Sequence, residues 1–138
     1  LGHATACAAA LAVQQVIERD NLIRRVDHMG AVLKQCLVSR FAEHPNVGDI
    51  RGRGLFFGLE FVEDKTRKSP FDPQFELHRR LKEAAMDKGL ICYPMGGTID
   101  GRRGNHVLLA PPYTVSKNQI DELVNKLAAA LDAALKSS

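Results

Sequence analysis

The stretch Ile50-Arg-Gly-Arg-Gly-Leu-Phe-Phe-Gly-Leu-Glu-Phe-Val62 decides the fold, because a glycine-rich turn in it leads into a strand of alternating side chains. A sustained period of two is typical of a half-buried β-strand. Burying four large apolar side chains contributes about 8 kcal/mol before opposing terms, at about 2 kcal/mol each. The sequence therefore predicts that helices cover the apolar face of this strand. That face carries Leu55, Phe57, Leu59 and Phe61, and the opposite face carries Phe56, Gly58, Glu60 and Val62.

The segment before this strand predicts a hairpin. Residues 46–50 form a candidate short strand, and Arg51 to Gly54 form the predicted turn. Gly52 and Gly54 can both adopt a positive φ, which tight turns often require. Gly58 leaves a gap in the second face of the strand, where another backbone or helix could approach closely.

Two amphipathic helices are predicted ahead of the hairpin. The first runs from about Thr5 to Arg19 in an alanine-rich segment, and the second ends near His44. Asp20 and Asn21 are candidate caps for the second helix. Gly30 lies inside it and costs about 1 kcal/mol relative to alanine, which indicates close packing or a weak point.

The elements after the hairpin alternate between helix and strand. Residues 63–73 are charged and contain prolines, which is typical of an exposed loop. The predicted elements that follow are a helix from Asp72-Pro73 to Lys88-Gly89, a strand from Leu90 that Pro94 ends, a strand at 106–110, and a last helix capped by Thr114 or Ser116.

The order of these elements predicts an α+β fold, with a small, mostly antiparallel sheet covered by helices on one side. We expect a division near His44-Pro45. Residues 1–44 would form a long helical arm, and residues 45–138 would form the α+β domain.

Composition excludes several classes of protein. The net charge is only +3 and is spread along the chain, unlike the basic patch of a nucleic-acid-binding protein. Three separated cysteines, Cys7, Cys36 and Cys92, favour a reduced cytoplasmic setting over a secreted disulfide framework. The sequence has neither a long apolar run nor a basic-then-apolar leader, so we expect no membrane partner. Since helix begins almost at residue 1, without an initiator methionine, we expect a piece of a longer polypeptide.

The candidate binding residues are Arg102 and Arg103, in a glycine-flanked loop between two strands. Paired guanidinium groups can hold a carboxylate or phosphate with two parallel hydrogen bonds. A solvated loop without a ligand remains the alternative. The five histidines are dispersed and predict no metal site. A match of residues 53–57 to the aromatic RNA-binding strand motif fails at Phe56 and Glu60, so we expect no nucleic-acid partner.

Three segments, in order, resemble one protein family. Gly2-His-Ala-Thr-Ala-Cys-Ala-Ala-Ala-Leu11, His44 to Glu60 and Leu109-Ala-Pro-Pro-Tyr-Thr-Val115 look like the C-terminal part of class III, pyridoxal-phosphate-dependent aminotransferases. The resemblance covers essentially the whole chain. It implies the fold-type-I arrangement, in which a helical connection from the large domain leads into a C-terminal small domain.

The resemblance also implies what lies elsewhere. In such enzymes the Schiff-base lysine, the carboxylate at the pyridine nitrogen and the stacking aromatic residue belong to the large domain. We therefore expect no catalytic or cofactor-binding residue in this chain, no bound cofactor, and no activity of the chain alone. Its lysines, all at positions that are predicted to be exposed, are Lys34, Lys65, Lys68, Lys82, Lys88, Lys117, Lys126 and Lys136.

The resemblance narrows the substrate class. Members that act on ornithine-like or aminobutyrate-like substrates usually carry an arginine where this chain has Leu108. The sequence is more similar to the ω-amino-acid or amine:pyruvate branch, in which a mobile arginine binds the substrate carboxylate. Arg102, followed by Arg103, is the nearest candidate. The implied reaction moves an amino group from an amine or ω-amino acid to a keto acid such as pyruvate.

The partners that we expect are the large domain of the same enzyme and a second copy of the chain, which would associate through the apolar surface of the N-terminal helices. A non-catalytic interaction or dimerisation module is the alternative function.

Overall fold

The computed structural model describes residues 2–136 and confirms the α+β class. Four strands form one sheet in the order β1-β2-β4-β3, and every neighbouring pair is antiparallel. The elements in chain order are α1 (Ala4–Arg19), α2 (Leu22–Phe41), β1 (Val47–Arg53), β2 (Phe56–Phe61), a 3-10 turn (Pro73–Phe75), α3 (Leu77–Asp87), β3 (Tyr93–Gly96), β4 (Asn105–Leu109) and α4 (Lys117–Lys136).

The core lies between one face of the sheet and helices α2, α3 and α4. As the alternation predicts, β2 buries Phe57, Leu59 and Phe61 on this face. Phe56 on the opposite face is 56% exposed. Helix α1 packs mainly along α2, and none of its residues is buried. The helices therefore cover one side of the sheet and leave the other side, called here the open face, accessible.

Gly30 is where α2 touches the hairpin. A Cβ atom built at this position would lie 2.2 Å from the carbonyl oxygen of Gly54, far inside van der Waals contact. The close packing that the sequence suggested is therefore present, and only glycine lets the helix approach the turn this closely.

The hairpin turn is shorter than predicted. β1 continues through Arg53, which pairs with Phe56, so only Gly54 and Leu55 form the turn. Gly54 has a φ of +56°, as expected, but Gly52 has no positive φ. A Cβ atom at Gly52 would instead lie 2.2 Å from the carbonyl oxygen of Phe56. Gly52 is thus required for the close pairing of two strands and not for a turn conformation.

The strand that was predicted from Leu90 to Pro94 begins later and ends later. β3 starts at Tyr93, and Pro94 lies within it, opposite Val107. β3 is an edge strand, where a residue without an N–H group is tolerated. Leu90 instead follows the end of α3 and bonds back to it, because its N–H donates to the carbonyl of Ala85 at 2.8 Å.

The start of α3 also differs from the prediction. Asp72 caps only the short 3-10 turn, by accepting a hydrogen bond from the N–H of Gln74 at 2.8 Å. Glu76 then has a positive φ of 48°, which interrupts the chain before α3 begins at Leu77. The side chain of Asn105, in β4, accepts a hydrogen bond from the N–H of His78 at 3.3 Å. The first turn of α3 is therefore capped by a residue from the sheet.

The other predicted cap residues also differ in whether they make a capping hydrogen bond. Asn21 precedes α2 but makes no side-chain cap bond, and the carboxylate of Asp20 pairs with Arg19 at 2.7 Å. Before α4, Ser116 is the cap and Thr114 is not. Ser116 and Gln119 each accept a hydrogen bond from the other's backbone N–H, which is a capping box.

The hydrophobic core and the helices bear on how the chain is organised. The core is continuous across residue 44, because α2 and α4 both contribute side chains to it. The division into residues 1–44 and 45–138 stays a prediction. Within residues 2–136, none of the helices combines the length and the apolar character needed to cross a membrane.

Candidate functional site

The loop that joins β3 to β4, residues 97–104, contains both predicted site residues and is called here the arginine loop. The N–H of Gly97 donates to the carbonyl of Gly104 at 2.9 Å, which closes the base of the loop. The N–H of Gly101 donates to the carbonyl of Gly97 at 2.9 Å, and both glycines have a positive φ. The glycines therefore give the loop a defined turn, with Arg102 and Arg103 exposed at its surface.

Asp100 gives the side chains of Arg102 and Arg103 different environments. Its Oδ1 atom accepts hydrogen bonds from the backbone N–H groups of Arg102 and Arg103, at 3.0 and 2.8 Å. Its Oδ2 atom accepts from Nε of Arg103 at 2.8 Å. The hydrogen bonds from Arg103 are the largest cause that lowers the pKa of Asp100 from 3.8 to about 2. Arg103 is thus part of the loop structure, whereas the guanidinium of Arg102 bonds to no other residue within 2–136.

A histidine ties the arginine loop to the open face. Oγ1 of Thr98 and Nδ1 of His106 lie 2.7 Å apart, at hydrogen-bond distance. His106 belongs to β4 and pairs with Glu60 in β2. The loop is therefore anchored on the side of the sheet that the helices leave uncovered.

The open face carries a depression of about 440 Å³, called here the sheet pocket. Arg51 lies at the rim of the pocket and is ion-paired, because its guanidinium contacts both Asp49 and Glu60. Arg53 also lines the pocket, but its side chain has no bonding partner in the described chain. The pocket is lined by Arg51, Gly52, Arg53, Phe56, Gly58, Leu59, Glu60, Thr98, His106 and Leu108.

A second apolar groove runs along α1. It has a volume of about 560 Å³ and is lined by Ala12, Val13, Val16, Ile17, Leu22 and Tyr113. Arg25 fixes the loop that carries Tyr113, because its guanidinium donates to the backbone carbonyls of Tyr113 at 3.2 Å and Val115 at 2.7 Å. The groove therefore has one wall that α2 holds in place.

A pyridoxal cofactor requires a lysine for its Schiff base. The lysines at 34, 65, 68, 82, 88, 117, 126 and 136 are exposed or half-buried, and none lies in the core. Half-burial raises the pKa of the Cys92 thiol to about 11, so this group stays protonated and is a poor nucleophile at neutral pH. Within residues 2–136, no group of three or more His, Cys, Asp or Glu side chains could hold a metal ion.

The structure thus places Arg102 and Arg103 in one loop but gives them different environments. It also presents Arg53 with an unpaired side chain, whereas the sequence analysis placed this residue in the turn and in a rejected RNA-binding match. Two features of the sequence pointed to the open face, namely the alternation of residues 56–62 and the missing side chain at Gly58. Neither of them indicated a pocket there.

Comparison with known proteins gives a consistent result. A family model described as aminotransferase class-III matches residues 1–131. An uncharacterized aminotransferase of Schizosaccharomyces pombe is 51% identical over 126 residues, which are 91% of this chain and 28% of that protein. A diaminobutyrate–2-oxoglutarate transaminase of Halomonas elongata is 35% identical over 131 residues, which are 95% of this chain and 27% of that protein.

Solved structures agree in fold. A thermostable (S)-enantioselective omega-transaminase from Thermomicrobium roseum matches 98% of this chain and 28% of its own, with a TM-score of 0.85 and 36% identity. A PMP-bound aminotransferase from Vibrio fluvialis matches 94% of this chain and 26% of its own, with a TM-score of 0.81 and 34% identity. The chain therefore spans little more than a quarter of the length of these proteins.

Proposed function

The chain belongs to the class III aminotransferase family, and from this premise we propose that it is the C-terminal portion of a pyridoxal-phosphate-dependent transaminase. The match of the family model to residues 1–131 is the observation that carries the proposal. Residues 1–44 would be the helical arm at the end of the large domain, and residues 45–138 the small domain.

The proposed reaction moves an amino group from an amine or ω-amino acid to a keto acid such as pyruvate. Two observations support this substrate class. The matched structure from Thermomicrobium roseum is described as an omega-transaminase. In addition, Leu108 occupies the place where the resemblance expects an arginine in ornithine-type or aminobutyrate-type enzymes.

Arg102 is the residue that we assign to the substrate carboxylate. Its guanidinium has no competing partner within residues 2–136, and charge-assisted bonds from arginine to carboxylate are strong and directional. Arg103 holds the loop through Asp100 and would act as a positioning residue.

The cofactor of the complete enzyme would be pyridoxal phosphate, which supplies the electron sink that amino-group transfer requires. The chain alone would bind no cofactor and would have no activity, because its lysines lie at the surface. This chain's own contribution is to hold a substrate carboxylate and to pack against the remainder of the enzyme.

The proposed partners are the large domain and a second copy of the protein, in the cytoplasm. Helix α1 supports this assignment, because Leu11, Val13 and Val16 are apolar yet exposed. The exposed apolar residues of α1 also support the alternative function, a non-catalytic interaction or dimerisation module.

The test uses the full-length gene product and assays amino transfer from an ω-amino acid to pyruvate. We expect Arg102→Gln to raise the KM for the keto acid by about tenfold with a smaller effect on kcat, since one carboxylate contact contributes about 1.4 kcal/mol. Arg24→Gln, at an exposed site on α2, is the matched control. A full-length protein without transaminase activity would favour the interaction module.

The expected inactivity of the chain alone is tested separately. We expect the absorbance of pyridoxal phosphate to stay unchanged when the 138-residue chain is added. A borohydride-reducible adduct at a single lysine would contradict this part of the proposal.

A further inference from the structure

The arginine loop is bonded internally, so it behaves as one unit. The N–H of Ile99 donates to the carbonyl of Arg103 at 2.9 Å, which joins the two sides of the loop. Asp100 accepts the backbone N–H groups of Arg102 and Arg103, at 3.0 and 2.8 Å. These bonds give the backbone of Arg102 a fixed position within the loop.

The base of the loop, by contrast, can bend. Gly97 and Gly104 have φ values of +79° and +90°. Glycine has access to a wider range of backbone conformations than any other residue. One backbone bond, at 2.9 Å, joins the two glycines. The bonds inside the loop therefore do not by themselves fix its direction relative to the sheet.

A side-chain bond supplies this missing constraint and is called here the loop anchor. It joins Oγ1 of Thr98 to Nδ1 of His106, at 2.7 Å. Within residues 2–136, no other side chain of the loop makes a hydrogen bond or an ion pair with a residue outside it. Because a hydroxyl both donates and accepts, it can bond to Nδ1 whether or not that atom carries a proton.

The loop anchor is attached to a rigid support. His106 lies in β4, paired with Glu60 of β2 on one side and with Met95 of β3 on the other. The loop also folds closely over its own base, because a Cβ atom at Gly104 would lie 3.1 Å from Cβ of Thr98. Side chains supported by strands hold a functional geometry more precisely than those supported by loops.

We propose that His106, acting through Thr98, is a positioning residue that fixes the direction in which the arginine loop presents Arg102 to a substrate carboxylate. This inference rests on the proposed function, which assigns Arg102 to that carboxylate. Without the loop anchor, the loop turns at its glycines, and part of the binding free energy is spent on ordering it. The effect is therefore smaller than that of removing Arg102 itself.

The experiment uses the full-length gene product and Thr98→Val, which keeps the size of the side chain and removes its hydroxyl. We expect the KM for pyruvate to rise about fivefold with kcat nearly unchanged, which is the effect of losing one ordinary hydrogen bond. Hydrogen exchange, followed by mass spectrometry, should become faster at residues 97–104. Thr98→Ser should restore both values. Thr66→Val, at an exposed position in another loop, is the matched control and should change neither.

Combined variants show whether the loop anchor acts through Arg102. His106→Leu should raise the KM for pyruvate as Thr98→Val does. Neither change should have a further effect in Arg102→Gln, because residues that act as a unit are not additive. Effects that multiply with that of Arg102→Gln would overturn the inference, and so would unchanged hydrogen exchange in Thr98→Val.

Failure of this inference can be told apart from failure of the proposed function. A KM for pyruvate that rises in Arg102→Gln but not in Thr98→Val would overturn the inference alone. A KM that stays unchanged in Arg102→Gln would refute the proposed role of Arg102, and the inference with it.

Discussion

The contact between Gly30 and Gly54 predicts that a substitution which normally stabilises a helix will destabilise this protein. In an ordinary helix interior, glycine to alanine gains about 1 kcal/mol. In α2 the new Cβ atom would lie 2.2 Å from the carbonyl oxygen of Gly54, 2.5 Å from its carbonyl carbon and 2.7 Å from its Cα atom. All three neighbours are backbone atoms, which cannot rotate away as a flexible side chain can.

The magnitude follows from the displacement that is required. Ordinary van der Waals contact begins at 3.4 Å, so the helix and the turn must separate by about 1.2 Å (3.4 minus 2.2). Overpacking of this kind costs about 3 kcal/mol at the upper end of its usual range. After subtraction of the helix gain, Gly30→Ala should lower the free energy of unfolding by about 2 kcal/mol. For a chain of this size, Tm should fall by about 6 to 8 °C.

The assay is urea and thermal unfolding followed by circular dichroism. Ser39→Ala, at an exposed position of the same helix, is the matched control and should change stability by less than about 0.5 kcal/mol. Because the helix propensity and the steric overlap have opposite signs, the direction of the change decides between them. A rise in Tm for Gly30→Ala would refute the close approach of α2 to the hairpin.

Further predictions concern the loops and the caps. Arg25→Gln should lower the free energy of unfolding by about 1 to 2 kcal/mol through loss of its bonds to the loop before α4, whereas Arg24→Gln should not; urea unfolding compares them. The depressed pKa of Asp100 means that its contribution is complete above its ordinary value of 3.8 and is lost as the pH falls toward 2. An NMR titration should therefore give a midpoint near 2 for this carboxyl, and Arg103→Gln should move the midpoint upward. Asn105→Ala should cost about 1 to 2 kcal/mol in thermal unfolding, because it uncaps the first turn of α3.

The sequence predicted those parts of the fold that depend on periodicity. Alternation in β2 identified its buried face because one-sided burial repeats every second residue. The glycine inside α2 predicted either close packing or a weak point, and the contact with Gly54 shows that the first is present. The exposure of Arg102 and Arg103 was predicted because charged residues flanked by glycines are typical of an exposed loop.

Features that depend on distant contacts could not be predicted. The turn was predicted at Arg51 to Gly54 but lies at Gly54 and Leu55, because the pairing of β1 with β2 continues through Arg53 and Phe56. Pro94 was taken as the end of a strand, although an edge strand tolerates a residue without an N–H group. The different environments of Arg102 and Arg103 depend on how Asp100 is placed in the folded loop, and this information exists only in the folded chain.

The bond between Asn105 and His78 has a consequence for the order of folding. The first turn of α3 receives its side-chain cap from a residue 27 positions later in the chain. The first turn of a newly formed α3 therefore lacks its cap until β4 joins the sheet. The backbone amides of the two elements should gain protection from hydrogen exchange together. A helix that looks local in sequence is thus completed by a contact with β4, a strand that follows it in the chain.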